Sequence, residues 1–179
     1  MAVYTTIDDP GLYFNTVLYV GNQPSSNPIT GVGFAPDFVW VKNRDASKHH
    51  VLFNTVQGVG KSLYADTTGA EVSDALGLTA FGADGFTVAN WSEPNTSGDD
   101  YAGWCWKAGT TSGIDTTGST ITPSSYTFNA TSKFSIIGYA GNSTIGATLP
   151  HGLGVAPDMM SIKRLTSAGA QWACPFTAM

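Results

Sequence analysis

Charge is scarce in this sequence. Only 12% of the 179 residues are Asp, Glu, Lys or Arg, which is about half the share usual for soluble domains, and the net charge is -5. Eight Lys and Arg residues are too few to neutralise many phosphates, the interaction that dominates nucleic-acid affinity. Nucleic acid is therefore excluded as an expected partner.

Long apolar runs are also missing. Every hydrophobic stretch is short and interrupted, so no membrane insertion is expected, and the N-terminal MAVYTTIDD has neither the basic nor the apolar region of a secretory signal. A protein of this kind that acts outside a cell is expected to leave by lysis or inside an assembled particle. Cysteine is limited to Cys105 and Cys174, both in apolar surroundings, which predicts two buried free thiols. No metal-ligand spacing is present, and no cofactor is expected.

A segment near the N-terminus has a second, diverged copy near the C-terminus. GVGFAPDFVWVK at 31–42 matches GLGVAPDMMSIK at 152–163, and FNTVLYVGN at 14–22 matches FSIIGYAGN at 134–142. The period of about 120 residues is far longer than that of solenoid repeats, so it indicates a duplicated domain. The second copy stops about where its middle should begin.

Alternating apolar residues and turn residues predict antiparallel strands throughout the first copy. A hairpin is predicted where Asp45 to Lys48 form a turn between 38–44 and 50–56, and another where Asp84-Gly85 separates two short apolar stretches. The aromatic stretch 101–109 predicts a central strand that is buried on both faces. Residues 61–78 are predicted to be mostly loop, with one turn of helix at 71–75.

Four motifs carry a resemblance to a known family: GxGFxPDFVWVKNR, HVLFNTVxGVGKxL, GLTAFxxDGFTV and NxSGxxYxxWCWKAG, in that order from residue 31 to residue 109. They resemble a domain that recurs in tail-fibre and other virion proteins of tailed bacteriophages, especially of marine and cyanobacterial hosts. The segment from Phe134 to Lys163 resembles the start of the next such domain. The resemblance covers nearly the whole chain and implies a concanavalin-like or jelly-roll β-sandwich located in the virion.

The expected organisation is all-β, an antiparallel β-sandwich with a partial second β unit. The sandwich is expected over 1–109 (the first domain), a Gly/Ser/Thr-rich linker over 110–122, and the partial second copy over 123–179 (the C-terminal segment). Because Met159, Met160 and Trp172 and their strand edges would lie uncovered, this segment is expected to pack on the first domain or on a neighbouring subunit. A homo-oligomer, with a trimer favoured, would supply that neighbour.

Two groups of residues are candidates for ligand binding. The polar loop 90–100 supplies an aromatic ring with amide and carboxylate groups, a combination typical of sugar sites: Trp91, Asn95, Asp99 and Asp100. The alternative is that Trp91 is packed beneath its own loop. The second group is Lys42, Arg44 and His50, at the end of the central hairpin, where His49 and His50 are expected to point to opposite faces.

Catalysis is not expected. Asp37 and Asp158 follow the Ala-Pro turn in both copies and are interpreted as structural carboxylates. The leading hypothesis is a virion protein of a tail fibre or surface appendage, working with other virion proteins and recognising a host surface glycan. The alternatives are a purely structural particle component without a ligand and a glycan depolymerase, which would need two carboxylates across one cleft.

Overall fold

A computed structural model of the chain describes residues 7–176. A 3-10 turn at Pro10–Leu12 precedes the first strand, and a one-turn helix, α1, covers Ser92–Asn95. The strands of the first domain are β1 (Phe14–Val20), β2 (Asn27–Ile29), β3 (Phe38–Asn43), β4 (Val51–Asn54), β5 (Lys61–Tyr64), β6 (Val72–Ser73), β7 (Leu78–Gly82), β8 (Gly85–Val88) and β9 (Asp100–Trp106). Two more strands, β10 (Ser125–Asn129) and β11 (Phe134–Gly138), follow the linker.

Two antiparallel sheets pack face to face in the first domain. The six-stranded sheet has the order β1-β9-β3-β4-β5-β6, and the three-stranded sheet has the order β2-β8-β7. Residues of both sheets form one buried cluster, in which Val39, Val41 and Phe53 of the first meet Phe86 and Val88 of the second. This arrangement confirms the all-β, antiparallel sandwich.

The six-stranded sheet has two unlike faces because side chains alternate along each strand. Its inner face, which packs on the three-stranded sheet, includes Val39 and Val41, both completely buried. The outer face is turned away from that sheet. Phe38, Trp40 and Lys42 lie there and are half-buried. The alternation of Trp40 and Lys42 on one side of this strand was correctly predicted by the sequence.

The predicted hairpins are confirmed: β3 pairs with β4, and β7 pairs with β8. The predicted central position of the aromatic strand is also confirmed, since β9 lies between β1 and β3. The predicted burial of β9 on both faces is wrong in part. Tyr101 and Cys105 on the inner face are fully buried, whereas Trp104 and Trp106 on the outer face are only half-buried.

The prediction that residues 61–78 are mostly loop is correct for most of these positions, but the stretch also contains two short strands, and the predicted turn of helix is wrong. Residues Lys61–Tyr64 form β5, which pairs with β4, and the predicted helical turn is replaced by β6. Neither strand has a strong local pattern. β5 forms because the edge of β4 offers unpaired backbone groups that a neighbouring segment can satisfy, and β6 pairs in turn with the edge of β5.

The linker 110–122 contains no named strand, and one bridge joins Thr110 to Phe128. After it, β10 and β11 form a two-stranded sheet of their own. Further on, two isolated bridges join Met159 to Phe176 and Ile162 to Ala173. Several large apolar side chains there are exposed: Ile145, Val155, Met159, Met160, Ile162 and Phe176.

The C-terminal segment contacts the first domain along β5 and β6. The Trp172 Nε1–H donates to the Tyr64 carbonyl at 3.0 Å, and the Glu71 N–H donates to the Leu165 carbonyl at 2.9 Å. The predicted burial of both cysteines is only half right, because Cys105 is buried whereas Cys174 is exposed. Cys174 is exposed because the end of the chain lies over the surface of the sandwich without a second layer above it.

Candidate functional site

An aromatic groove lies on the outer face of the six-stranded sheet. It has a volume of about 230 Å³ and is lined by Trp40, Trp104, Trp106 and His50. The strand register creates it: Trp40 of β3 lies directly opposite Trp104 of β9, and Trp106 follows two residues later on the same face. His50 immediately precedes β4, which pairs with the other side of β3. Three neighbouring strands therefore bring these four rings together.

A hydrogen bond fixes one corner of the groove. Trp40 Nε1–H donates to His50 Nδ1 at 2.9 Å, and the centres of the two rings are 5.7 Å apart. Because Nδ1 accepts this bond, the imidazole has Nε2 left as a donor. Trp40 and Trp104 meet edge to face, 6.0 Å apart at 69°. The groove wall is thus angular, with both indoles held in place.

The C-terminal segment completes the other end of the groove. Phe134 of β11 stacks on Trp106, with ring centres 6.1 Å apart and planes at 22°. Phe14 packs on the same indole at 4.8 Å. Phe14 and Phe134 occupy equivalent positions in the duplicated sequence, so both copies contribute the same residue to hold Trp106. Trp106 is the most firmly packed part of the groove.

Of the predicted residues Lys42, Arg44 and His50, His50 lines the groove, Lys42 lies one outward-facing position beyond Trp40, and Arg44 follows the end of β3. Lys42 follows Trp40 by two residues on the same face of β3, and its Nζ donates to the Lys48 carbonyl at 2.7 Å. Arg44 lies 3.9 Å from the Asp100 carboxylate, and both side chains are 51% exposed. His49 lies away from the groove, where it stacks on Tyr64, so the expected opposite orientation of the two histidines is confirmed.

The first predicted site, in the loop 90–100, does not present an aromatic platform. The Trp91 indole packs against Phe53 at 6.4 Å and Tyr64 at 6.3 Å and belongs to the core boundary. The alternative interpretation of Trp91, in which its ring is packed, is the one that the structure supports. Gly77 lies so close to the indole that a Cβ there would be 2.9 Å from Cε3.

Two polar members of that loop are also structural. Asn95 is completely buried and uses its whole amide: Oδ1 accepts from the Asn22 N–H and from Asn27, while Nδ2 donates to Asn22 Oδ1 and to the carbonyls of Ser25 and Ala89. An amide with this many partners has nothing left for a ligand. Asp99 accepts from Asn43 Nδ2 at 2.7 Å, and Asp100, as described, pairs with Arg44.

The interpretation of Asp37 as a structural carboxylate is supported. It accepts from the Ala108 N–H at 2.8 Å and from the Thr55 hydroxyl at 3.0 Å, which ties the start of β3 to the residues after β9 and β4. A similar role is filled by Asp84, whose carboxylate accepts from the Gly31 and Gly33 N–H groups. Those two hydrogen bonds lower the pKa of Asp84.

A second concavity of about 510 Å³ lies between the linker and residues 148–154. It is formed by polar loops, with Asp115 and His151 among its lining residues. The backbone of Gly152 covers one face of the Phe128 ring, since a Cβ at that glycine would be 2.6 Å from the ring atoms. That face of the Phe128 ring is consequently not open to a ligand.

Neither concavity is lined by a pair of carboxylates: the aromatic groove has none, and the second has Asp115 alone. Within residues 7–176, no set of three or more His, Cys, Asp and Glu side chains is placed to hold a metal ion. No helix in the described part of the chain has the length and apolar character needed to cross a membrane.

Sequence reasoning missed Trp104 and Trp106. The signal available was the alternation WCW, which places both indoles on one face, together with Trp40 on another predicted strand. What the sequence lacked was the neighbour relation between β3 and β9.

Comparisons with known proteins add one finding. The curated proteins and the solved structures contain no match to this chain. One family model matches without interruption from residue 9 to residue 179, across the first domain, the linker and the C-terminal segment. The chain therefore belongs to the family described as a domain of unknown function, DUF7483.

Proposed function

We propose that this chain is a non-enzymatic, carbohydrate-binding β-sandwich of a tailed-bacteriophage virion, carried in a tail fibre or other surface appendage, where it recognises a host surface glycan. The observation that carries the proposal is the groove formed by Trp40, Trp104 and Trp106 on the outer face of the sheet.

The chemistry of the groove suits a sugar ring. One face of a pyranose consists mainly of C–H groups, which pack well on an indole, while its hydroxyls need polar partners at the rim. Trp104 and Trp40 supply the apolar surfaces, and His50 Nε2–H and Lys42 supply donors at the edge. Since the Trp40–His50 hydrogen bond and the packing on Trp106 already hold the rings, little conformational entropy is lost on binding.

The virion setting rests on the motif resemblance of residues 31–109 and 134–163, and an antiparallel β-sandwich is compatible with it at the level of fold class. Assembly into a homo-oligomer, with a trimer favoured, is supported by the exposed apolar side chains of the C-terminal segment, because such groups are usually covered by a partner. Such a protein is made in the host cytoplasm and released by lysis.

A second candidate is a purely structural particle component that binds no ligand. It is favoured by the same exposed side chains, among them Met159, Met160 and Phe176, and by Leu18 and Val20 on the edge strand β1. If neighbouring subunits also cover the aromatic groove, these surfaces serve only assembly. The depolymerase hypothesis gains no support from either concavity, because neither has a carboxylate pair across it.

The experiment is glycan-array screening of the purified oligomer, followed by calorimetry with the best ligand on the wild type and on two variants. Trp104→Ala should weaken binding by about tenfold or more, as expected for losing an aromatic stacking partner. Trp172→Ala, the same change outside the groove, should leave affinity within about twofold. Retained affinity in Trp104→Ala, or no binding of any glycan by the wild type, contradicts the proposal and favours the structural role.

A further inference from the structure

We infer that the aromatic groove takes an anionic saccharide and that Lys42 binds its acidic group. The inference rests on the proposed sugar-binding function and narrows its ligand class. The observation behind it is a half-buried lysine on the same face of the sheet as the groove, with no carboxylate partner among residues 7–176.

Lys42 is close to the groove by register. In the register of β3 and β9, Lys42 lies opposite Ala102, and the next outward-facing pair along these two strands is Trp40 with Trp104. His50, which lines the groove, immediately precedes Val51, the partner of Val41. Lys42 therefore lies one outward-facing position beyond Trp40, on the face that carries the groove and opposite Ala102.

The charge of Lys42 is not neutralised. Among residues 7–176 the ion pairs are Arg44 with Asp100, His49 with Asp66, and Lys61 with Glu71. Within residues 7–176, the Lys42 Nζ makes one hydrogen bond, to the Lys48 carbonyl, whereas an ammonium group has three N–H donors. Burial of a charge costs free energy unless an opposite charge offsets it, so a bound anion would stabilise this ammonium to the extent that the side chain is buried.

The carboxylates that contact residues 43–50 have partners other than Lys42: Asp99 accepts from Asn43 Nδ2, and Glu93 accepts from the His49 N–H. Arg44 and Asp100 neutralise each other, and the Asp45 carboxylate accepts from the Asp100 N–H. Lys48, in the turn that Lys42 binds, adds a further positive charge, and no carboxylate lines the groove. The lining of the groove is mostly apolar, and attraction between an ammonium and an anion is stronger in a less polar environment.

These features fit one binding mode. The apolar face of a sugar ring packs in the corner between Trp40 and Trp104, and an acidic substituent of the ring points toward Lys42. A neutral sugar would use only the aromatic part of the groove and leave the ammonium unpaired. The groove should therefore prefer acidic sugars to neutral sugars of the same ring geometry.

A purely structural role for Lys42 is the competing explanation, since its hydrogen bond to Lys48 holds the turn after β3. Two substitutions separate the roles. Lys42→Met keeps the apolar stem and removes the ammonium, whereas Lys42→Arg keeps the charge and can still donate to a carbonyl. Urea unfolding of each variant checks that both fold.

The test is calorimetry of the full chain with three matched probes: glucose, glucuronic acid and glucose 6-phosphate. The wild type should bind at least one acidic probe about tenfold more tightly than glucose at low ionic strength. That preference should shrink at about 0.5 M salt, because salt screens the interaction. Lys42→Met should reduce the ratio of acidic to neutral affinity to about one, and Lys42→Arg should retain it. The better acidic probe tells a carboxylate from a phosphate.

Equal affinity of the wild type for acidic and neutral probes overturns the inference, and so does an unchanged ratio in Lys42→Met. In both cases, neutral binding that is lost in Trp104→Ala leaves the proposed function standing. If Lys42→Met does not fold, the salt dependence of the wild type and the Lys42→Arg ratio still decide the matter. Absence of binding by any sugar, in the array as well as in calorimetry, overturns both the inference and the proposed function.

Discussion

Replacing Gly21 by Ala should destabilise the protein, whereas the same replacement at Gly141, its equivalent in the second copy, should not. Gly21 lies against the residues that follow α1. A Cβ at position 21 would be 2.0 Å from the Thr96 carbonyl oxygen and 2.8 Å from the Thr96 carbonyl carbon. A Cβ at Gly141 would meet nothing within 4 Å. The duplication thus provides a matched control within the same chain.

The expected loss of stability in Gly21→Ala follows from the shift that the new Cβ would force on Thr96. Thr96 would have to retreat by about 1 Å to bring the contact from 2.0 Å to the 3.0 Å that real Cβ atoms respect, and overpacking of this kind costs about 1–3 kcal/mol. Two hydrogen bonds hold the same region, from the Gly21 N–H to the Asp99 carbonyl and from the Gly98 N–H to the Gly21 carbonyl, each 2.9 Å long. Weakening them adds about 1 kcal/mol apiece.

Replacing glycine by alanine also restricts the conformations of the unfolded chain, and this raises the free energy of unfolding by about 0.4–1 kcal/mol. The free energy of unfolding should therefore fall by about 2–4 kcal/mol in Gly21→Ala and change by about 0–1 kcal/mol, toward greater stability, in Gly141→Ala. Urea titration followed by tryptophan fluorescence measures both, and equal m-values would indicate that the unfolded state is unchanged. If the two variants unfold within about 0.5 kcal/mol of each other, close packing is not the reason for glycine at position 21.

Two further outcomes follow from buried groups. Asn95→Ala should lower the free energy of unfolding by about 3–4 kcal/mol, since it leaves the Asn22 N–H and two carbonyls without their partner. Asn142 lies in an exposed turn, where its side chain accepts from the Thr144 N–H. Asn142→Ala should therefore lower the free energy of unfolding by less than about 1 kcal/mol. Similar losses in the two variants would refute the structural role of Asn95. Thiol labelling at pH 8 should modify Cys174 in the native protein and Cys105 only after unfolding, because burial removes Cys105 from solvent and raises its pKa to about 12. Equal labelling rates of the two thiols in the native state would contradict the described packing.

Part of the site was predictable because it depends on neighbours in sequence. Alternation along one strand places Trp40 and Lys42 on the same face, and the two adjacent histidines on opposite faces. The turn at Asp84-Gly85 and the hairpin of β3 and β4 follow from turn residues between apolar runs. These are local properties of the backbone, so a single strand and its turn suffice to determine them.

The groove itself depended on contacts between distant parts of the chain. Trp40 meets Trp104 only because β9 inserts between β1 and β3, a pairing that joins residues more than 60 positions apart and is set by the burial of the whole inner face. The same long-range packing drew Trp91 into the core boundary and turned residues 61–64 from a predicted loop into β5.

The sequence by itself determined the duplication, the strand-rich class and the face on which each strand places its side chains, since these follow from composition and short-range periodicity. Only the tertiary structure decided which strands are neighbours and which faces stay uncovered. Those outcomes depend on the burial and backbone pairing of segments that lie far apart in the chain, so the pattern within one segment does not predict them. For this reason the sequence identified Lys42 and His50, and the fold added the indoles of Trp104 and Trp106.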